Sequence, residues 1–124
     1  MNIVVIGCGG RENIIIQKLL QQHNNVHCIG KWMNPDIYKI CQNYIVGELN
    51  ENNILNFIKK INPDMVVIGP ETVLITNVAA ECNCYSYRCI GPIKHLAYLE
   101  TSKSFTRNLL NQNGLSDFNP LYCK

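Results

Sequence analysis

Five short apolar runs in this chain each stop at a glycine. Ile3-Val4-Val5-Ile6 ends at Gly7, Val26-His27-Cys28-Ile29 at Gly30, Asn43-Tyr44-Ile45-Val46 at Gly47, Met65-Val66-Val67-Ile68 at Gly69, and the stretch from Tyr85 to Ile90 at Gly91. Between them lie segments whose apolar residues recur at helical spacing. Short runs without polar alternation suit parallel strands covered on both faces. Strands that alternate with helices in this way build a parallel sheet joined by right-handed crossovers. The expected class is therefore α/β: a Rossmann-like three-layer sandwich around a mostly parallel five-stranded sheet.

The helices can be placed by their caps and stripes. The first is expected from about Arg11 to His23, with Ile14, Ile15 and Leu19 on its buried face, Ile16 and Leu20 flanking them, and Asn24-Asn25 as its stop. Asn34 is suited to cap a short helix with Pro35 in its first position, and Asn50 a longer one from Glu51 to Ile61. The core stripe of that longer helix is Ile54, Leu55, Ile58 and Ile61. One helical stretch is expected from Glu71 to about Cys82. Two more run from Ile93 to Leu99 and from Ser102 to Asn113, before a loop-like tail from Leu115 to Lys124.

Composition removes several function classes. A length of 124 residues allows one domain with a real core. A net charge of +2, with no Lys/Arg run and no aromatic platform set among basic residues, gives no reason to expect a nucleic-acid partner. No stretch is long and apolar enough to span a membrane, and no basic-then-apolar secretory signal opens the chain. A cytoplasmic protein is expected. The seven cysteines are scattered and odd in number. Cys82-Asn83-Cys84 with Cys89 lacks a fourth ligand, since His95 stands alone, so free thiols in a reducing compartment are expected and no metal site.

In a parallel sheet, ligands bind beyond the carboxyl ends of the strands, where the strand order switches. Three loops with marked residues end there: Gly7 to Glu12, Gly30-Lys31, and Gly69-Pro70-Glu71. A dinucleotide fingerprint needs a third glycine where Glu12 stands and an acid where Gly30-Lys31 stands, so a nicotinamide cofactor is not expected. A smaller phosphorylated ligand fits better. Gly9 and Gly10 let backbone N–H groups approach a phosphate, Arg11 adds a charge, and Glu71 offers an acceptor to a sugar hydroxyl or an amine. A plainer account is that Gly9 and Gly10 only make the turn while Arg11 and Glu12 are solvated first-turn residues. Residue types alone leave both open.

The loops also carry a family resemblance. Ile6-Gly7-Cys8-Gly9-Gly10-Arg11-Glu12-Asn13 resembles the G-x-G-G-R-E-H loop that opens phosphoribosylamine–glycine ligase (glycinamide ribonucleotide synthetase), an enzyme of purine biosynthesis. Val67-Ile68-Gly69-Pro70-Glu71 with Leu74 resembles its V-x-G-P-E-x-x-L motif. Ile90-Gly91-Pro92, Lys94, Ala97, Leu99-Glu100, Ser102-Lys103 and Phe105 resemble its G-P-x-x-x-A-x-L-E-x-S-K-x-F segment. The resemblance implies a pre-ATP-grasp N-terminal domain over residues 1–100, with residues 101–124 forming a helix and tail where an ATP-grasp domain begins in the family. It implies that Gly9, Gly10, Arg11, Glu12, Gly69, Pro70 and Glu71 face a sugar phosphate, and that Lys103 is the remnant of an ATP contact. The chain departs from the family at Asn13, a His there, at Lys31-Trp32-Met33-Asn34-Pro35 in place of a Pro-Gly-Asn-x-Gly loop, at Asn77 and at Arg107.

Three functional expectations follow. In the first, this is a domain without catalysis of its own that binds a phosphorylated ribose or nucleotide. In the second, it is part of a ligase whose ATP-grasp portion, with ATP and Mg, is supplied by a partner chain. In the third, it is an interaction module whose exposed Phe105, Leu109 and Leu110 favour a homodimer or another partner. No catalytic residue, cofactor or metal is expected in this chain by itself.

Overall fold

The computed structural model describes residues 1–120. Its five strands are β1 (Asn2–Ile6), β2 (Asn25–Gly30), β3 (Asn43–Val46), β4 (Met65–Ile68) and β5 (Arg88–Ile90). They form one sheet in the order β3-β2-β1-β4-β5, with every pair parallel. Seven helices accompany them: α1 (Gly10–Gln21), α2 (Pro35–Ile40), α3 (Glu51–Ile61), α4 (Glu71–Leu74), α5 (Val78–Cys84), α6 (Lys94–Thr101) and α7 (Lys103–Gln112). A 3₁₀ turn spans Ser116–Phe118, and Cys123 lies outside the described residues.

The apolar runs give the sheet two buried faces. Val4, Ile6, Ile29, Val66 and Ile68 pack against α3 to α6 through Ile54, Phe57, Ile58, Val73, Val78, Cys82 and Ala97. Ile3, Val5, Val26, Cys28 and Val67 pack on the other side against Ile16 of α1 and Ile37 of α2. This is the three-layer arrangement expected. It places the direction change between β1, from which the chain runs outward to β2 and β3, and β4, from which it continues to β5.

Several expectations need correction. Helix α1 stops at Gln21, and the left-handed residue that turns the chain is His23, φ 58°, rather than an asparagine. Asn24 instead donates its side-chain N–H to the Leu19 carbonyl at 2.9 Å, and Asn25 already belongs to β2. Ile16 is fully buried at the centre of the α1 stripe, whereas Ile14 is 58% exposed, since the two-residue step between them turns the side chain by about 200° on a helix. Phe57, absent from the expected stripe of α3, is buried beside Ile54 and Ile58. The stretch after Glu71 is two helices, because Thr76 Oγ1 donates to the Val73 carbonyl at 2.6 Å and accepts from Val78 N at 3.3 Å, which closes one helix and starts the next. Strand β5 is shorter than expected, because Tyr85 still caps α5 and Ser86 turns at φ 62°.

The caps of α2 and α3 form as their sequences predict. Asn34 Oδ1 accepts from Asp36 N at 3.1 Å with Pro35 in the first turn, and Asn50 Oδ1 accepts from Asn53 N at 2.9 Å. Among the described residues no helix is long and apolar enough to cross a membrane. The six cysteines among them are free thiols, with Cys8, Cys28 and Cys82 buried.

Candidate functional site

The loops after β1 and β4 meet at the switch in strand order, and Glu12 is what they close around. Gly7 has φ +116°, a conformation open to glycine and strained for other residues. A Cβ there would also lie 2.8 Å from Glu12 Cγ and 3.0 Å from Pro70 Cδ. Gly69, on the other loop, gives way to the same side chain, since a Cβ on it would lie 2.6 Å from Glu12 Cγ. The carboxylate that fills this space is 5% exposed. Its Oε2 accepts from Gly9 N at 2.8 Å, the backbone half of a capping box at the start of α1.

Arg11 completes the closure. Its Nε donates to Glu12 Oε1 at 3.2 Å, and its Nη2 donates to the Gly69 carbonyl at 2.6 Å. The guanidinium side chain is nevertheless 61% exposed, so it tethers two loops while presenting its outer edge to solvent. The first helical N–H bond of this turn runs from Asn13 N to Gly9 O at 3.0 Å, which leaves the N–H groups of Gly10, Arg11 and Glu12 without an intrahelical acceptor.

A third loop joins from β2. Asn34 Nδ2 donates to the Cys8 carbonyl at 2.9 Å, and Tyr44 Oη donates to the Trp32 carbonyl at 2.5 Å while accepting from Asn34 N at 3.2 Å. Burial pushes the Tyr44 phenol up to about 12, so it remains a donor at physiological pH. Under the glycine loop, Cys28 Sγ donates to the Gly7 carbonyl at 3.1 Å. The adjacent Cys41 thiol, and burial after it, hold the Cys28 proton on.

These loops bound a cavity of about 390 Å³, within the usual size range of small-molecule sites. Of the residues singled out in the sequence, Gly9, Arg11, Glu12, Pro70 and Glu71 line it. Gly10 is exposed and does not line the cavity, and Gly69 lines a neighbouring cavity beside Gly91 and Glu100. Lys103 is elsewhere, at the start of α7 in a hollow shared with Leu99 and Phe118. Lys31, Trp32, Leu49 and Thr72 also line the main cavity and were not singled out as ligand residues. The signal for Lys31 and Trp32 was positional: they follow a parallel strand at the sheet edge where ligands bind. Leu49 carries no chemical signal.

Residues 1–100 match the family described as "Phosphoribosylglycinamide synthetase, N domain". The chain belongs to that family. Phosphoribosylamine–glycine ligase from Methanocella arvoryzae is 31% identical over 118 residues, covering 93% of this chain and 27% of the relative. The ligase from Methanocorpusculum labreanum is 35% identical over 117 residues, with the same two coverages. The chain thus spans about a quarter of the length of the relatives it matches. Among solved structures, phosphoribosylglycinamide synthetase from Anaerococcus prevotii superposes with a TM-score of 0.71 at 10% identity, over 91% of this chain and 29% of the other. N5-carboxyaminoimidazole ribonucleotide synthetase from Thermotoga maritima gives 0.72 at 15%, over 91% and 31%. At those identities the likeness is one of fold. The matched span ends inside α6, so α7 lies outside it.

Proposed function

We propose that this domain binds a phosphorylated ribose or a nucleotide in the cavity between the glycine loop and the Gly69-Pro70-Glu71 loop. One observation carries the reading: a 390 Å³ cavity at the strand-order switch, bounded by the start of α1 and bearing Arg11 and Lys31. The anion is held by the Arg11 and Lys31 cations and the free N–H groups of the first turn of α1. Glu71 accepts from a sugar hydroxyl. The relatives' name refers to a phosphoribosylamine, which supports a sugar phosphate as the ligand class. Glu12 takes part by holding Arg11 and Gly9, not by reaching the ligand.

Among the described residues no three His, Cys, Asp or Glu side chains are grouped as a metal site requires. We assign this domain a binding role on the strength of the cations and the carboxylate that line its cavity. ATP and Mg act only through an ATP-grasp domain, in the same polypeptide or on a partner chain. Calorimetry with ribose 5-phosphate and glycinamide ribonucleotide is expected to show binding that Arg11→Ala weakens roughly tenfold, the worth of one charge-assisted contact. Absence of heat at millimolar concentrations of both overturns the reading.

A second reading concerns the other end of the fold. Phe105 and Leu109, one turn apart on α7, are 43% and 38% exposed, and Leu96 and Leu99 of α6 are about half exposed. This face is suited to dock an ATP-grasp domain. Sedimentation distinguishes that from a homodimer, which would form without any partner.

A further inference from the structure

The loop after β2 holds the chain's only tryptophan, and no function has yet been given to it. Trp32 is 59% exposed and lines the main cavity beside Lys31. Its backbone is held, because Tyr44 bonds the Trp32 carbonyl and Asn34 ties the following turn to Cys8 of the glycine loop. An indole on a fixed backbone at the mouth of a polar cavity is a stacking surface that binds at little entropic cost. Lys31 has no carboxylate partner among the described residues, so its charge is available to a ligand.

We infer that the cavity takes a nucleoside monophosphate rather than a bare sugar phosphate, with Trp32 stacking on the base and Lys31 and Arg11 taking the phosphate. The inference rests on the binding reading above and narrows it. A sugar phosphate offers the indole no flat partner, whereas any nucleobase does, whatever its hydrogen-bonding edge. The charge count favours one phosphate. Arg11 and Lys31 match the two negative charges of a single phosphate, while Glu12 and Glu71 around the same cavity oppose a longer phosphate chain. A triphosphate would bring more negative charge than this balance accommodates.

The single tryptophan makes the test direct, because all indole emission comes from Trp32. Adenosine 5′-monophosphate is expected to quench it saturably and to bind about tenfold more tightly than ribose 5-phosphate, the size of one base–aromatic stack. By calorimetry, Trp32→Ala should remove that advantage, so that the two ligands bind alike, while Trp32→Phe retains most of it. Thermal melts check that each variant is folded. Equal binding of the two ligands, or an advantage that survives Trp32→Ala, overturns the stacking assignment and leaves the sugar-phosphate site standing. ATP without metal binding more tightly than the monophosphate overturns the single-phosphate assignment. Failure of both ligands to bind at millimolar concentration overturns the binding reading and this inference with it.

Discussion

The glycine-loop end of the sheet and the α6–α7 helix pair are built in opposite ways. At the first, Ile3 to Cys8 and Glu12 are all buried, and the Arg11, Glu12 and Asn34 side chains tie three loops together through their backbone. At the second, Ala97 is the one buried residue of α6, and α7 has none. The first end makes its shape from its own contacts, with the Glu12 carboxylate occupying part of the anion-favouring turn. The second leaves apolar surface for something else to cover. Substitutions should therefore be severe at one end and mild at the other.

The sharpest form of that contrast compares two glycines. Gly7 and Gly114 both have positive φ, +116° and +71°, but a Cβ on Gly7 meets Glu12 and Pro70 whereas nothing lies within 4 Å of one on Gly114. Gly7→Ala is expected to lose about 3 kcal/mol, from backbone strain together with a displaced Glu12. Gly114→Ala carries the backbone term alone, about 1 kcal/mol. Urea unfolding curves measure both. Equal losses would mean that the glycine loop yields as easily as the tail.

Glu12 is the next largest expected effect. Glu12→Ala removes the acceptor of Gly9 N and the partner of Arg11, and opens space against Gly7 and Gly69. The expected loss is about 2 kcal/mol in urea unfolding. A loss below about 0.5 kcal/mol would show the carboxylate to be idle and free to contact ligand, and the site would need redrawing.

That residue also marks how far the sequence could be read. Strand ends were legible because each apolar run stops at a glycine, and β3, α3 and β4 fall where spacing and caps put them. Boundaries were lost where a short-range bond decided them, as at His23, Thr76 and Ser86, since nothing in residue type says which of several polar groups takes the carbonyl. The site was legible as loops at one sheet edge. What Glu12 does was not, because a first-turn acid looks the same whether it is solvated or folded back onto its own cap. Trp32 was passed over for a similar reason: only the packing of Tyr44 shows that its loop is held.

His27 offers a smaller and pH-dependent effect within the well-built part of the sheet. It is 5% exposed, and its Nδ1 lies 2.9 Å from Asn43 Nδ2, so the neutral ring accepts that bond. Burial holds its pKa below the ordinary 6.5. The unfolded chain then takes up the proton first. The stability His27 confers is complete above about pH 6.5 and is lost as pH falls below that value. Between pH 7.5 and 5.5 the protein should lose stability through this residue, and the His27→Gln variant should show a flatter dependence. The comparison is of slopes, so a general destabilisation by the substitution does not obscure it. Identical slopes would remove His27 as the cause.

The smallest expected effect on stability belongs to Phe105, and it tests the other half of the comparison. Its ring meets that of Tyr98 with centroids 5.9 Å apart and planes tilted by 50°, yet 43% of the residue remains exposed. Phe105→Ser should cost only about 0.5 kcal/mol in urea unfolding, because the ring closes no core. Its effect on association should be larger. If α6 and α7 cover themselves with a second copy or a partner domain, sedimentation velocity will show the complex for the unaltered chain and its loss for the variant, with unchanged ligand binding at the distant cavity. A loss of folding stability above about 2 kcal/mol would reverse the contrast, since it would make the helix pair part of the core that the glycine loop belongs to.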